Sequence, residues 1–460
     1  MGMDSATILL VLLLLCSINF NPSTVEPGVI EVPRDYSSIQ TAINEANVGD
    51  TIKVASGTYF ESLKIGKSLS LIGEGSDDTV IVGSGTIILV NVDNVEIRGF
   101  AVRNGTYGIF LWHCSGTLLR NNVMSDNIWN FAVSGDSLSH FVHDVDSSNM
   151  VDGKPIYFWV NENGKCVPKD AGYVALINST NVIAEDLSLT SNEQGVLLVN
   201  TKGSVIRNVT MSGNDVGIDL QMSSNNTITM NNLITINWLS LYLVSSCNNT
   251  LTENTIRKGN YGISTMHSNG NSIYHNNFID NKVQQYYVNS SNKWDNGEEG
   301  NYWSDYKGED LSSDGVGDTL TPHLGVDYYP LVRIFDNIPP TADAGNGQTV
   351  FKNAAVFFDA SSATDNIGIV DYRWDFGDGS NGSGVSTNHV YETIGIYAVT
   401  LTVADVSGNT ATDVILITVV DPPVPFLWWI LFAVIGTVAV IFTSLWLRRH
   451  VEKKGIKNKS

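Results

Sequence analysis

Nine consecutive residues, Asp310-Leu311-Ser312-Ser313-Asp314-Gly315-Val316-Gly317-Asp318, space oxygen donors as a calcium loop does. Asp310, Ser312, Asp314 and Asp318 fall at loop positions 1, 3, 5 and 9, the Val316 carbonyl at 7 and a glycine at 6. Position 12 is Thr321, where a bidentate Glu belongs. Two accounts therefore fit: a Ca²⁺ loop short of one ligand, or an Asp/Gly turn closing a domain. Ca²⁺ is the cofactor this loop points to. Just upstream, Trp294, Tyr302, Trp303 and Tyr306 stand among Asp295, Glu298, Glu299 and Asp305. Aromatics beside acids suit stacking against sugar rings; the competing account is that they seal an open end of the fold. Earlier in the chain lie Glu185, Asp186, Glu193, Asp215 and Asp219, with Arg98, Arg120 and Arg207 in one repeated position. Paired carboxylates at a defined separation would cleave glycosidic bonds. No neighbouring repeats concentrate two or three of them, so a solvated face accounts for most, and no catalytic residue is assigned. Asp219 is the exception, since it can point inward beside the turn at Asp215.

The rest of the 460 residues must position these groups. Apolar residues make up 43 %, enough for a large core. A net charge of −21 argues against nucleic acid, which needs clustered cations. Only 16 % of residues are charged, while Gly, Asn, Ser and Thr abound. Repetitive β structure with polar turns has that balance. Beyond Cys16, the cysteines Cys114, Cys166 and Cys247 form no disulfide framework and no metal pair.

The ends are apolar. Ala6 to Ile18 suits the core of a secretory signal, placed over residues 1–26, although it carries Asp4 and no basic residue ahead of it. Phe426 to Leu447 is uncharged, flanked by Trp428, Trp429 and Trp446 and followed by Arg448, Arg449, Lys453, Lys454, Lys457 and Lys459. That predicts a transmembrane helix over 424–447 and a basic cytoplasmic tail over 448–460, with everything between exported. The segment after Leu447 carries a net +5 and the preceding 447 residues −26.

The middle repeats. Short apolar segments ending in Asn recur, as in Val205-Ile206-Arg207-Asn208-Val209, Ile228-Thr229-Met230-Asn231-Asn232-Leu233 and Ile273-Tyr274-His275-Asn276-Asn277-Phe278. Equivalent positions 187, 209, 233, 255 and 278 are 22, 24, 22 and 23 residues apart. A second segment opens each unit with Gly or Ser and an aliphatic residue: Gly195-Val196, Gly217-Ile218, Ser240-Leu241, Gly262-Ile263. A period near 23 with two or three strands is one coil of a parallel β-solenoid. Asn at the corners tolerates the left-handed conformation and can stack in amide ladders. The L-x-x-L-x-L pattern of leucine-rich repeats is absent.

These repeats resemble the right-handed parallel β-helices of the pectate-lyase-like superfamily, specifically the NosD-like group, over residues 27–335. Asp35 to Ile43 resembles the amphipathic helix that caps such domains, and Gly49 to Tyr59 the first coil. Between Asn149 and Asp170 the period breaks, and Asp152 to Gly164 reads as a hairpin inserted at a corner. The stretch Gly300 to Tyr306 resembles the close of these domains. The Asp-Pro-His-Glu signature of related epimerases and the Asp-Phe-x-x-Gly motif of pectin esterases are missing. The group's name implies copper handling. His113, Met222, Ser245 and His267 occupy one repeat position, but Met222 and His267 lie two coils apart, ~9–10 Å, too far for one ion. His140 and His143 take opposite faces if their segment is a strand, and no His-rich or Met-rich tract supports copper.

After the linker 336–340, Trp374-Asp375-Phe376-Gly377-Asp378-Gly379, His389-Val390-Tyr391 and Gly395 to Val403 resemble a PKD domain, an immunoglobulin-like β-sandwich, over 341–421. Trp374 is then a core residue. Sequons at Asn104, Asn178, Asn208, Asn225, Asn248, Asn289 and Asn381 lie in the exported part. The expectation is an all-β surface protein resembling those of archaeal envelopes: β-helix, PKD sandwich and membrane anchor. Its partners are the membrane and a surface polysaccharide or envelope protein, which it binds without turnover. The alternatives are a tethered polysaccharide-modifying enzyme and a copper accessory protein.

Overall fold

The computed structural model describes residues 26–423 and 426–456; the signal expected over 1–26 falls outside them except at Glu26. The chain divides into two units, 1–335 and 336–460.

The first unit opens on the strand Val29–Val32, followed by a helix, Ile39–Glu45, that starts at Ile39 because Ser38 is extended and its hydroxyl accepts the Thr41 N–H. Glu61 reaches back from the next coil and accepts the N–H groups of Ile39 and Gln40, both at 2.9 Å. Two of the donors a helix leaves open are thus satisfied. Ile39, Ala42 and Ile43 are buried over the first coil.

Thereafter short strands stack in parallel. A twelve-stranded sheet runs from Gly57–Phe60 to Val283–Val288, and other faces of the coil form sheets of four to six strands. Alternation sends every second residue inward. Val174, Val196, Ile218, Leu241 and Ile263 stack in one interior column, and Leu176, Leu198, Leu220 and Leu243 in the next. All are fully buried, each stabilising the fold by ~1.5–3 kcal/mol.

Corners turn through the left-handed region, at Asn178, Asn200, Met222, Ser245, His267 and Asn289 in one column and at Asn181, Gly203, Asn225, Asn248 and Gly270 in another. The residue after a corner turns inward. Asn226, Asn249, Asn271 and Asn292 each accept the backbone N–H of the preceding coil, and Asn231, Asn254, Asn276 and Asn301 repeat this on another corner. Ser223, Ser246, Ser268 and Ser290 form a hydroxyl ladder. These ladders satisfy backbone groups where the strands break.

At the period break the structure departs from a hairpin hung on a corner. Met150–Val151 and Lys154–Val160 do form an antiparallel hairpin, but Lys154–Val160 is itself a full strand of the large sheet, parallel to Tyr173–Ile177. Strand direction in that sheet therefore reverses at Asp152-Gly153. Beyond the reversal both faces of the sheet are covered: Tyr173, Ala175, Ile177, Leu197 and Val199 pack with the core of the earlier coils, and Val174, Leu176, Val196 and Leu198 with that of the later ones.

In the second unit a five-stranded and a two-stranded sheet enclose Phe358, Trp374, Phe376, Tyr391 and Leu401. Trp374 is buried, its indole N–H donating to the Gly384 carbonyl. The helix Phe426–Ile456 follows, and Trp429–Val451 is long and apolar enough to cross a membrane. The helix continues past Leu447 into the basic segment.

Candidate functional site

The structure does not assemble the residues singled out as an aromatic platform. Trp303 is 1 % exposed and Trp294 4 %. Trp303 stacks on Phe278 with centroids 4.4 Å apart, and its indole donates to Asp327 Oδ2 at 2.8 Å. The Tyr306 hydroxyl donates to the Thr319 carbonyl, and Tyr302 pairs with Asn277 as part of the last strand. These rings seal the open end of the solenoid. Tyr302 and Tyr306 are half-buried, and Trp294 lines a groove of about 560 Å³ with Tyr274, Asn292, Val326 and Tyr328.

The segment 310–318 is tied to itself. Asp318 Oδ2 accepts the N–H groups of Leu311 and Ser312 and the Ser312 hydroxyl. Those backbone amides hold the Asp318 carboxyl below the usual carboxylate range. Asp310 accepts from the N–H of Asp314 and Gly315, and Asp314 from that of Val316. Among the described residues, Asp310, Asp314 and Asp318 are not a group whose ligand atoms gather within 4.8 Å. The expected calcium ligands Asp310, Ser312, Asp314, Val316 and Asp318 thus lie in one turn whose carboxylates accept from the loop's own amides and the Ser312 hydroxyl. An oxygen-only cluster of the kind hard cations take lies instead in the second unit. Asp336, Asp365 and Asp405 bring one oxygen each within 4.8 Å of the others. Asp336 Oδ2 and Asp365 Oδ1 are buried without a hydrogen-bond partner. The separation of these residues along the chain hid the cluster.

Glu193, read as part of a solvated face, has its Oε2 buried, and Asp219, read as able to point inward, is buried on the outward side of the large sheet. On the outward side of the large sheet, Ala175, Leu197, Asp219, Tyr242, Ser264 and Tyr286 stand in register on successive coils. The strand reversal brings the strand Trp129–Ser134 over this face. The Asn130 N–H donates to the Ser191 carbonyl, the Glu193 N–H to the Phe131 carbonyl, and Gln194 Nε2 to the Val133 carbonyl. Asp219 is 3 % exposed. Gln221 donates to its Oδ2 at 2.9 Å, while its Oδ1 and Glu193 Oε2 are buried without a partner.

Unpaired burial disfavours the charged form. Burial pushes Asp219 up to about 7. Burial, with Asp219 and Asp215 nearby, pushes Glu193 up to about 8, and Tyr107 rises to about 12 through burial with Glu193 and Asp215 nearby. The group can thus hold protons near neutrality and donate hydrogen bonds. The sequence signal for it was Asp219 itself, a carboxylate placed where its neighbouring coils carry Leu197 and Tyr242.

Aromatic rings continue from these acids along the outer face. The Trp238 N–H donates to the Asp215 carbonyl and the Tyr261 N–H to the Trp238 carbonyl, one coil at a time. Trp238 and Tyr242 rings are 6.2 Å apart, and Tyr261 and Tyr286 rings 6.0 Å. Trp238 and Tyr286 are about half exposed, at 48 % and 47 %. The side chains of Trp238 and Tyr242 on one coil, Tyr261 on the next and Tyr286 on the one after therefore form a strip, with the acids at one end.

The segment of His140 and His143 is not a strand. Leu138–Phe141 is a 3₁₀ turn. It carries His140 toward His113, ring centroids 5.2 Å apart, while His143 is buried. There His143 Nε2 donates to the His140 carbonyl and Nδ1 accepts the Thr117 N–H, and burial lowers the imidazole to about 4. The seven sequon asparagines are all exposed, six of them at left-handed corners.

Residues 145–308 match the family model described as "Periplasmic copper-binding protein (NosD)", and residues 337–419 match the PKD domain model. A cell surface glycoprotein of Methanothermus fervidus is 29 % identical over 127 residues, covering 27 % of this chain and 21 % of that protein. A probable ABC transporter binding protein NosD of Stutzerimonas stutzeri is 43 % identical over 68 residues, 14 % of this chain and 16 % of its own length. The chain thus spans about a fifth or less of these curated relatives. Among solved structures, the PKD1 domain of Vibrio anguillarum Epp aligns at 31 % identity and TM-score 0.17, over 19 % of this chain and 100 % of that domain. An alginate lyase of Paenibacillus sp. aligns at 14 % identity and TM-score 0.25, over 57 % and 99 %. The chain carries a domain that the NosD model recognises, on a β-solenoid, followed by a PKD domain and an apolar C-terminal helix.

Proposed function

We propose that this is a membrane-anchored cell-surface protein whose solenoid binds a polysaccharide along the strip Trp238, Tyr242, Tyr261 and Tyr286. The observation that carries the reading is the placement of these four rings on three successive coils beside Asp215, Asp219 and Glu193. Exposed aromatics offer flat apolar faces to sugar rings, and neighbouring acids and amides offer hydrogen bonds to hydroxyls. The negative balance of the chain disfavours polyanions and favours a neutral polysaccharide. The glycoprotein relative supports a surface location, and the apolar helix supports an anchor with the basic segment inside. Exposed sequons at Asn104, Asn178, Asn208, Asn225, Asn248, Asn289 and Asn381 are compatible with glycosylation of the outer corners.

Affinity electrophoresis of the full-length chain in detergent, through gels holding neutral or acidic polysaccharides, tests the reading. Retardation by a neutral polymer is expected, reduced at least tenfold in apparent affinity by Trp238→Ala with Tyr286→Ala. Equal retardation of wild type and variant overturns it.

A second reading, a tethered polysaccharide-modifying enzyme, draws on Asp219 and Glu193, which hold protons near neutrality as general acids must. Polymer shortening by wild type that is lost in Asp219→Asn would favour it over binding alone.

A further inference from the structure

His113 sits at a corner after the strand Tyr107–Trp112 with φ +48. Its N–H donates to the Ser134 carbonyl of the next coil at 2.9 Å. The strand Trp129–Ser134 lies in parallel register on Tyr107–Trp112, so the segment that begins at Gly135 starts over the His113 corner. The 3₁₀ turn then returns His140 to the same spot. Asp136 Oδ1 stands 3.0 Å from His140 Nδ1 and 3.7 Å from His113 Nδ1. One ligand atom from each of the three lies within 4.8 Å of the others.

We propose that His113, Asp136 and His140 bind a borderline divalent cation of the zinc type. Ligands at 2.0–2.1 Å around a tetrahedral ion lie about 3.3 Å from one another, and the two observed separations bracket that figure. Two imidazoles and a carboxylate suit zinc and its neighbours, whereas calcium and magnesium take all-oxygen sets. Three protein ligands leave a fourth position for water or an incoming group.

The cradle is built rather than fortuitous. Phe141, next to His140, is fully buried. His143 pins the His140 carbonyl. A Cβ on Gly135 would lie 2.3 Å from His140 Cβ, so the segment takes this course only with glycine there. The ligand side chains remain 27–74 % exposed, which leaves the site open to exchange. Trp112 stands edge-on to His113 at 5.2 Å and would report a paramagnetic ion by quenching. The site lies outside residues 145–308 and shares no residue with the aromatic strip, so it stands independently of the polysaccharide reading.

Calorimetric titration of the stripped full-length chain in detergent with zinc chloride at pH 7.5 tests the proposal. One saturable site is expected, with His113→Ala and His140→Ala each weakening it at least ~10-fold, the lower bound for losing even an outer-shell partner. His267→Ala, at another corner, leaves binding unchanged. Cobalt substitution should give visible bands in the wild type that both variants lack. No saturable zinc binding, or binding that persists in the double variant, overturns the proposal; so does a wild type that gives no cobalt bands.

Discussion

Tyr242 stands directly beside Asp219 in the parallel register of the large sheet, on the coil that follows it. The ring belongs to the exposed strip, the carboxylate to the buried junction, so one column of the sheet passes from solvent into a desolvated contact within a single coil. The Asp219 carboxyl raises the Tyr242 hydroxyl in turn, after the effect of burial.

That contact gives the protein a pH dependence of definite sign. Asp219 and Glu193 rise on folding from 3.8 and 4.5 to about 7 and about 8. The folded chain therefore binds more protons than the unfolded chain between those values, and stability falls as pH rises through the window. His143 is lowered from 6.5 to about 4 and acts oppositely, losing stability as pH falls below 6.5. The carboxylates thus act alone above about pH 6.5. Thermal melts of the first unit should drop between pH 6.5 and 8.5, and Asp219→Asn should flatten the slope. A rising Tm over that interval in the wild type would contradict the burial of these acids.

Trp303→Ala should cost about 3–5 kcal/mol, the usual loss for a buried aromatic. The variant removes the stack on Phe278 and frees Asp327, whose carboxyl burial already raises. Chemical denaturation measures the loss, and hydrogen exchange should show it first in coils near Asn301.

Asn254 accepts from Asn231 and donates to the Ile228 carbonyl and to Asn276. Asn254→Ala leaves several of these buried groups unpaired, each worth about 1–3 kcal/mol. Asn248→Ala, at an exposed left-handed corner, should cost less. Paired denaturation curves decide, and equal costs would refute the division between corner and ladder asparagines.

Asp318→Ala should loosen residues 309–319, because it removes the acceptor for two backbone amides and the Ser312 hydroxyl. Limited proteolysis there should increase equally with and without chelator. Protection that depends on calcium would favour the loop's reading as a cation site.

The repeat, the sandwich and the apolar helix were all legible in the sequence, because each is local. A period of 22 to 24 residues, the Trp374 motif and an uncharged run report neighbouring residues and their alternation. Asn-Asn pairs such as Asn225-Asn226 were legible only in part. The sequence marks a corner there, but the fold makes the first exposed and the second a buried acceptor. Tertiary structure alone decided the sites. The reversal at Asp152-Gly153 laid the Trp129–Ser134 strand over Glu193 and Asp219, and so buried Asp219 on the outward side of the sheet together with one oxygen of Glu193. Stacking of one coil on the next, with a 3₁₀ turn at Leu138–Phe141, joined His113 to His140. Both depend on which distant corner meets which, and that is set by long-range register and strand direction, which no spacing along the chain encodes.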